Sequence, residues 1–226
     1  MTTRSTSFIS RRGFARGLAV CGAVALFGFG APRPAVAGES GDPAVFVREF
    51  STQAIGVLAD HSLSGAHREQ AFRELLIAGF DVKAISRFVL GRYWRKATEA
   101  EREEFTALFE DLLVATYSRK FSDYSGQTLK VEAIREENEK MAAVASRILR
   151  HGGEPIRIDW RLLRRGGSWR IVDVVVEGMS MALSQRSEFK AVIRGNGGRV
   201  EALLEKLREK TRRVESGGVQ KADNSE

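Results

Sequence analysis

In the first half of the chain, apolar residues recur every three or four positions, a period that predicts helices. The first helix is expected to start at Asp42-Pro43, where a capping residue precedes a proline, and to end by Asp60. A second helix follows a turn at 61–65, and Asp81 is expected to cap a third. The apolar positions of these helices include Phe46, Phe50, Phe72, Leu75, Leu76, Phe80, Ile85, Phe88 and Val89.

The third helix is expected to break at Gly91, which can adopt the positive φ of a helix C-terminus. Thr98 and Glu101 then form a capping box that predicts the start of the longest helix. One face of that helix is a continuous apolar stripe and the opposite face is charged, which indicates a helix lying on a core. The stripe comprises Phe105, Leu108, Phe109, Leu112, Leu113, Thr116 and Tyr117.

Beyond Ser125-Gly126 the apolar period changes to alternation, which predicts strands. Strands are expected to begin at Leu129 and to cover Met141–Arg150, 156–162 and 169–176, with a polar turn at 136–139 and a hairpin turn at 165–167. Turns this short predict an antiparallel meander. Two helices, Met181–Arg194 and Arg199–Arg213, close the domain.

This order of elements predicts an α+β fold. N-terminal helices and two C-terminal helices pack on a twisted four-stranded antiparallel sheet, and the space between them is expected to be an apolar cavity. The expected domain spans 42–213, and the polar segment 214–226 is expected to be a disordered tail.

The fourth strand is the most apolar and is expected to be central. Alternation predicts that its buried side carries Val172, Val174 and Val176, and that its other side carries Ile171, Asp173, Val175 and Glu177. An acid on an apolar sheet could serve as a general base in a small isomerase or hydrolase. The favoured alternative is structural: each acid pairs with an arginine such as Arg157, Arg161 or Arg170, or caps the following helix.

Residues 1–37 are predicted to be an export signal. Arg11-Arg12 matches the twin-arginine pattern, an apolar stretch covers 17–31, and Ala35-Val36-Ala37 offers a cleavage site. A Sec signal stays open as an alternative, and a retained anchor or a lipoprotein linked through Cys21 is less favoured. Cys21 is the only cysteine, so the mature chain has neither disulfides nor thiolate chemistry. The expected location is the periplasm.

Charge and motifs exclude several functions. The net charge is +7, but residues 1–37 hold five arginines and no acid, so the remainder is only +2. We therefore expect no nucleic-acid partner and no strong independent adsorption to anionic lipid. His61, His67 and His151 lack metal-ligand spacing, and no phosphate-binding or hydrolase motif is present. We expect no metal, no cofactor and no enzymatic activity.

Two separated motifs resemble the MlaC, or toluene-tolerance, family of periplasmic phospholipid-binding proteins. The first is Leu90–Thr98, together with 102–105, Phe109 and Tyr117. The second is Trp169, Asp173-Val174 and Val176–Ser180, followed by Arg186 and Phe189. The resemblance extends from about Phe46 to Leu207. A related branch is associated with hopanoid biosynthesis, so a hopanoid or other polycyclic lipid stays open as the ligand.

The resemblance implies a soluble periplasmic carrier that moves phospholipid between an outer-membrane lipoprotein complex and an inner-membrane complex of ABC-transporter and MCE type. It implies that Gly91, Tyr93 and Trp94 lie near the cavity, and that Val174, Val176, Gly178 and Met179 form its wall or lip. Other apolar residues are candidates for lipid contact or for ordinary core. They are Phe80, Phe88, Phe105, Phe109, Leu113, Tyr117, Val144, Ile158, Trp160 and Val172.

Overall fold

The computed structural model describes residues 41–60, 62–120, 126–150 and 152–223. The predicted export signal, His61 and His151 lie outside these ranges, and all described residues fall in one compact unit. The helices are α1 (Pro43–Ala59), α2 (Gly65–Gly79), α3 (Val82–Leu90), a 3₁₀ helix (Gly91–Arg95), α4 (Glu99–Lys120), α5 (Met181–Gly195) and α6 (Glu201–Asp223). The strands are β1 (Thr128–Asn138), β2 (Met141–Arg150), β3 (Gly153–Arg165), β4 (Ser168–Val176) and β5 (Met179–Ser180).

The predicted helix starts are confirmed by their hydrogen bonds. The Asp42 carboxylate accepts from the Ala44 amide at 2.7 Å, and Asp81 accepts from Ala84 at 2.9 Å. In the capping box, the Thr98 amide donates to the Glu101 carboxylate at 2.7 Å. Gly91 ends α3 with φ 56°, as predicted. These caps satisfy backbone groups that have no partner within a helix.

The five strands form one antiparallel sheet in chain order, β1-β2-β3-β4-β5. The prediction of an antiparallel meander is confirmed, but the sheet has a fifth strand of two residues, which pairs with Val175 and Val176. The same edge of β4 is also covered by the connection from α2 to α3, where the Asp81 amide donates to the Ile171 carbonyl at 3.0 Å. A chain segment therefore shields both parts of an otherwise open edge.

A bulge in β4 changes the predicted assignment of its faces. Ile171 pairs with Leu162 and Asp173 pairs with Arg161, so Val172 has no partner on β3. Beyond an extra residue, the side-chain alternation shifts by one. Ile171 consequently shares a face with Val174, and the prediction that it lies beside Asp173 is wrong. The predicted buried side is also wrong, because the three valines 172, 174 and 176 are half-buried whereas Ile171, Asp173 and Val175 are buried.

The helices cover the sheet unequally. Helix α1 packs on β1 and β2, and α2, α3 and α5 contact β4. Helices α4 and α6 pack mainly on each other and on the other helices. Helix α6 continues to Asp223, through ten residues of the predicted tail. Residues 201–213 pack on α4 and are rich in Glu, Lys and Arg, which are good helix formers, so the helix can propagate from them.

Candidate functional site

One face of the sheet is an apolar wall about 20 Å long, given six residues between Ile156 and Leu162 at about 3.3 Å each. Cross-strand pairing divides it into rows that run across the strands. From the β3–β4 hairpin outwards, the rows are Ala142–Leu162–Ile171, then Ile134–Val144–Trp160–Val174, then Val131–Ser146–Ile158–Val176, and finally Leu129–Ile148–Ile156. We call these residues the apolar wall.

Burial decreases along the apolar wall. All three residues of the first row are buried, with at most 3 % of their surface exposed. In the two middle rows the residues of β2 and β3 are buried, but those of β1 and β4 are half-buried or exposed. Leu129, Ile148 and Ile156, which form the last row, are all half-buried. The wall thus extends beyond the region that the helices cover fully.

The polar atoms in the middle of the wall are satisfied internally. The Trp160 indole N–H donates to the Ser146 hydroxyl at 2.9 Å, and that hydroxyl donates to the Ile158 carbonyl at 3.1 Å. Both side chains are buried. A buried polar group without a partner would cost free energy, so these bonds allow the wall to present an apolar surface.

Three aromatic rings close the covered end of the wall. The Phe50 ring lies 6.1 Å from Trp160 and 5.6 Å from Phe80, both in edge-to-face geometry. Gly79 makes this position of Phe50 possible, because a Cβ atom there would lie 2.3 Å from the ring. Phe80 is half-buried and packs against all three buried apolar clusters of the described residues, so it joins the sheet side to the helical side.

A cleft of about 400 Å³ opens beside Phe80. It lies between the end of α2, the start of α3, the middle of α4 and the β3–β4 hairpin. Ile77 and Val82 contribute apolar surface, while Lys83, Arg165 and Arg170 contribute cations. Two of the cations are engaged: Arg165 pairs with Asp81 at 2.7 Å, and Arg170 donates to the Ala78 carbonyl. A larger cleft of about 530 Å³ lies at the β-hairpin tips and is lined mainly by polar residues and glycines.

The structure divides the predicted site residues into three groups. On the apolar wall lie Val144, Ile158, Trp160, Val174 and Val176. In the helical core, the buried cluster shared by α3, α4, α5 and α6, lie Tyr93, Trp94, Phe105 and Phe109. Leu113 contacts this core and also a smaller helical cluster of Phe72, Leu76, Val82 and Val114, on which Tyr117 packs, and Phe80 contacts both clusters and the wall. On the surface lie Phe88, Gly178 and Met179, while Gly91 and Val172 are half-buried at a helix end and at the bulge.

The glycine-aromatic motif packs against protein side chains. Tyr93, Phe105 and Phe109 are at most 4 % exposed, in a cluster shared with α5 and α6. The Phe189 ring lies 5.6 Å from Phe105 and 5.8 Å from Phe109, in edge-to-face geometry with both. Trp94 is half-buried, and the Arg102 guanidinium lies 5.8 Å from its ring. This packing gives the motif a structural role in the helical core.

Asp173 lies on the face opposite the apolar wall and is fully engaged. Its carboxylate accepts from the Ser180 hydroxyl at 2.6 Å, from the Ala182 amide at 3.0 Å and from Arg161 at 3.2 Å. It therefore caps α5 and pairs with an arginine, as the structural alternative predicted. Glu177 is exposed at a turn with φ 48°, and its carboxylate accepts from the Arg157 amide.

Tyr117 lies on the last turns of α4, against the cluster that includes Phe72 and Val114. Burial raises the pKa of its phenol above the ordinary value of 10.0. An apolar surrounding disfavours the phenolate, so this shift reports a dry environment between α2, α3 and α4.

Sequence reasoning missed several wall residues and the residues that cover it. Phe50, Ile148 and Ile156 were not among the predicted contacts, although all three belong to the apolar cluster between α1 and the wall. The alternation of apolar residues along β2 and β3 could have identified Ile148 and Ile156. Nothing local could have identified Phe50, because its contact with Trp160 spans 110 positions in sequence.

Other chemistry is limited in the described residues. His67 lies at the start of α2, where its ring nitrogen is 2.7 Å from the Ser64 hydroxyl. Within the described ranges, no group of three or more His, Cys, Asp or Glu residues could hold a metal ion. None of the helices described is both long and apolar enough to cross a membrane.

The comparisons with known proteins agree with this geometry. The family model of the MlaC protein matches residues 48–209. The toluene tolerance protein ttg2D of Pseudomonas putida is 24 % identical over 164 residues, which cover 70 % of this chain and 76 % of that protein. The intermembrane phospholipid transport system binding protein MlaC of Haemophilus influenzae is 26 % identical over 125 residues, covering 54 % and 58 % respectively.

Among solved structures, a phospholipid-binding protein from Ralstonia solanacearum, determined in complex with a phospholipid, has a similar fold. Its TM-score is 0.67 at 22 % sequence identity, and the match covers 74 % of this chain and 96 % of that one. Because the family match spans most of the chain and includes both the apolar wall and the helical core, we conclude that the chain belongs to the MlaC protein family.

Proposed function

We propose that this protein is a soluble periplasmic carrier that holds the acyl chains of a phospholipid along the apolar wall. The observation that carries the proposal is the decrease in burial from the first row of the wall to Leu129, Ile148 and Ile156. Large apolar side chains left half-buried at the end of an apolar surface are suited to an apolar ligand. The phospholipid named with the Ralstonia solanacearum structure supports the same ligand class.

The dimensions of the wall suit an acyl chain. Half the hydrocarbon core of a bilayer is about 15 Å thick, somewhat less than the roughly 20 Å length of the wall. The chains would lie over Ile158 and Val174, and the head group would remain near solvent beyond Ile148 and Ile156. Gly91, Tyr93 and Phe109, which pack within the helices, would support this site without touching the lipid.

Energetics explains why a carrier needs partners. Each buried CH₂ contributes about 0.8 kcal/mol relative to water, so two chains with about 30 methylenes would gain about 25 kcal/mol. That value exceeds the strongest affinities observed, and such a ligand would almost never leave into water. In a bilayer the chains are already dry, so the difference nearly vanishes. Exchange would therefore take place at membrane complexes, an inner-membrane ABC-transporter/MCE-type complex and an outer-membrane lipoprotein complex.

The carrier does not need to make or break bonds. Asp173 and Glu177, the carboxylates that a small isomerase or hydrolase would use, are bound to backbone and side-chain donors away from the wall. The Asp173→Asn variant is expected to be less stable by about 1–3 kcal/mol, because a buried charged hydrogen-bond acceptor is replaced. Lipid content and transfer should be retained. Loss of lipid transfer in a variant that keeps wild-type stability would favour the isomerase or hydrolase alternative.

Native mass spectrometry and lipid extraction of the purified exported form test the proposal directly. A bound glycerophospholipid is the expected result. If a hopanoid or other polycyclic lipid is found instead, the proposed carrier function stands and its ligand is different. Protein that is free of lipid after purification without detergent, and that takes up none from vesicles in the presence of membrane complexes, would contradict the proposal.

A further inference from the structure

A second surface of the protein combines exposed apolar side chains with segregated positive charge. Met179 is 60 % exposed, Leu183 is 49 % exposed and Phe88 is 42 % exposed. Arg186 connects two of them. Leu183 and Arg186 lie one turn apart on α5, and the Arg186 guanidinium lies 5.0 Å from the centre of the Phe88 ring on α3. We call this surface of α3, β5 and α5 the basic face.

The charge around these residues is strongly one-sided. Residues 82–98 contain five cations and no acid, and residues 179–200 contain four cations and Glu188. Since residues 38–226 as a whole exceed neutrality by only two positive charges, the rest of that region is net negative. The weak adsorption expected from the sequence depended on net charge alone. That average conceals these two cation-rich segments, whose helices α3 and α5 pack against each other.

The segments 82–98 and 179–200 together hold nine cations. They are Lys83, Arg87, Arg92, Arg95, Lys96, Arg186, Lys190, Arg194 and Arg199, and within the described ranges none of them lies within ion-pair distance of a carboxylate. Arg73 and Arg208, elsewhere on the protein, each pair with at least two carboxylates. The contrast indicates a surface whose counter-charges come from outside the chain.

We infer that the basic face adsorbs to a bilayer that contains anionic lipids, with Phe88, Leu183 and Met179 inserted among the head groups. Large apolar residues surrounded by Lys and Arg are typical of proteins that bind the membrane interface. Each cation near an anionic surface strengthens adsorption, and the attraction weakens with salt. The adsorption follows from this surface alone and does not depend on the lipid cargo.

Adsorption through this face would also bring the apolar wall to the membrane. Met179 pairs with Val176, which belongs to the third row of the wall. The basic face therefore begins at the β4 edge of the wall, only a strand away from the surface that we propose for the acyl chains.

The test is co-sedimentation of the lipid-loaded chain, from residue 38 onwards, with vesicles of phosphatidylcholine alone or of equal parts phosphatidylcholine and phosphatidylglycerol. Arg87→Gln with Lys190→Gln removes two exposed cations for which the structure gives no side-chain bond. The matched control, Lys130→Gln with Lys140→Gln, makes the same change in net charge on β1 and its turn, at the far edge of the sheet.

Wild-type protein should bind the anionic vesicles more tightly than the neutral ones and lose that preference at high salt. The Arg87/Lys190 variant should bind anionic vesicles about thirtyfold more weakly, whereas the control should stay within about twofold of wild type. Leu183→Ser with Met179→Ser should weaken binding at every salt concentration.

If both charge variants lose the same amount of vesicle binding, net charge alone explains the binding and the inference is overturned. No preference for anionic vesicles would also overturn it and would favour an acidic protein partner for the basic face. Lipid content, measured in the same samples by extraction, separates this inference from the proposed function, because adsorption can fail while cargo is retained.

Discussion

The helical core and the apolar wall use similar residues but differ in how completely they are filled. In the helical core, Phe105, Phe109 and Leu204 are at most 2 % exposed, and their neighbours are other side chains of the same cluster. On the wall, burial is complete at Leu162 and falls to half-buried at Ile156. The buried family motif on the helices is therefore the candidate for supporting the fold, and the half-buried end of the sheet is the candidate for binding.

The largest expected effect comes from the helical core. Phe109→Ala should lower the free energy of unfolding by about 3–5 kcal/mol, because the ring is buried and contacts Phe105 and Phe189. Lipid bound per folded molecule should not change. Urea denaturation with lipid extraction measures both, and a loss of lipid without a loss of stability would place the binding site in the helical core instead.

A smaller effect is expected at the covered end of the wall. Gly79→Ala should destabilise the protein by about 1–3 kcal/mol, because the added methyl group would meet the Phe50 ring. Gly56→Ala is a matched control on α1, where an added Cβ has no neighbour within 4 Å. That change should stabilise the protein by up to about 1 kcal/mol through helix propensity. Equal changes in melting temperature in the two variants would contradict the close approach of the Phe50 ring to Gly79.

At the open end, the effect should fall on binding rather than on stability. Ile148→Asp places a charge on the last row of the wall, and Leu149→Asp places the same charge on the opposite face of β2, at a residue that is 41 % exposed. Lipid occupancy should fall severalfold only for Ile148→Asp, because burying a charge against an acyl chain is costly. Native mass spectrometry gives the occupancies. Equal occupancy in both variants would show that the chains lie elsewhere.

The smallest effect concerns Tyr117, which packs on the separate helical cluster of Phe72 and Val114. Burial raises its pKa, so above about pH 10 the unfolded chain ionises while the folded protein stays neutral. The contribution of Tyr117 is complete below that pH and is lost as the pH rises through the folded pKa. The free energy of unfolding should therefore fall more steeply above pH 10 in wild type than in Tyr117→Phe. Removal of lipid should lower the pKa if an acyl chain covers the ring.

Local patterns were sufficient for most of the secondary structure. The caps at Asp42, Asp81 and Thr98, the glycine C-terminus at Gly91 and the strand alternation were all predicted. They depend on interactions between residues a few positions apart, which a single sequence displays directly. The bulge at Val172 was not predicted, because it depends on pairing with β3 and not on the composition of β4.

The candidate site was only partly accessible to the same reasoning. Val144, Ile158 and Trp160 were predicted as contacts and lie on the wall, while Ile148 and Ile156 were omitted. An apolar residue has the same pattern in sequence whether helices cover it fully or leave it half open. Exposure depends on the lengths and positions of distant elements, so composition could not separate wall from core.

The sequence by itself determined the elements, their order, the α+β class and the resemblance to the MlaC family, since these depend on periodicity, capping and motifs along the chain. Only the tertiary structure decided that Phe109 is core, that the end of the wall at Ile156 is half open, that Asp173 binds the start of α5, and that Arg186 lies over the Phe88 ring. The physical reason is that burial and charge density depend on which distant segments meet, and chain folding alone brings those segments together.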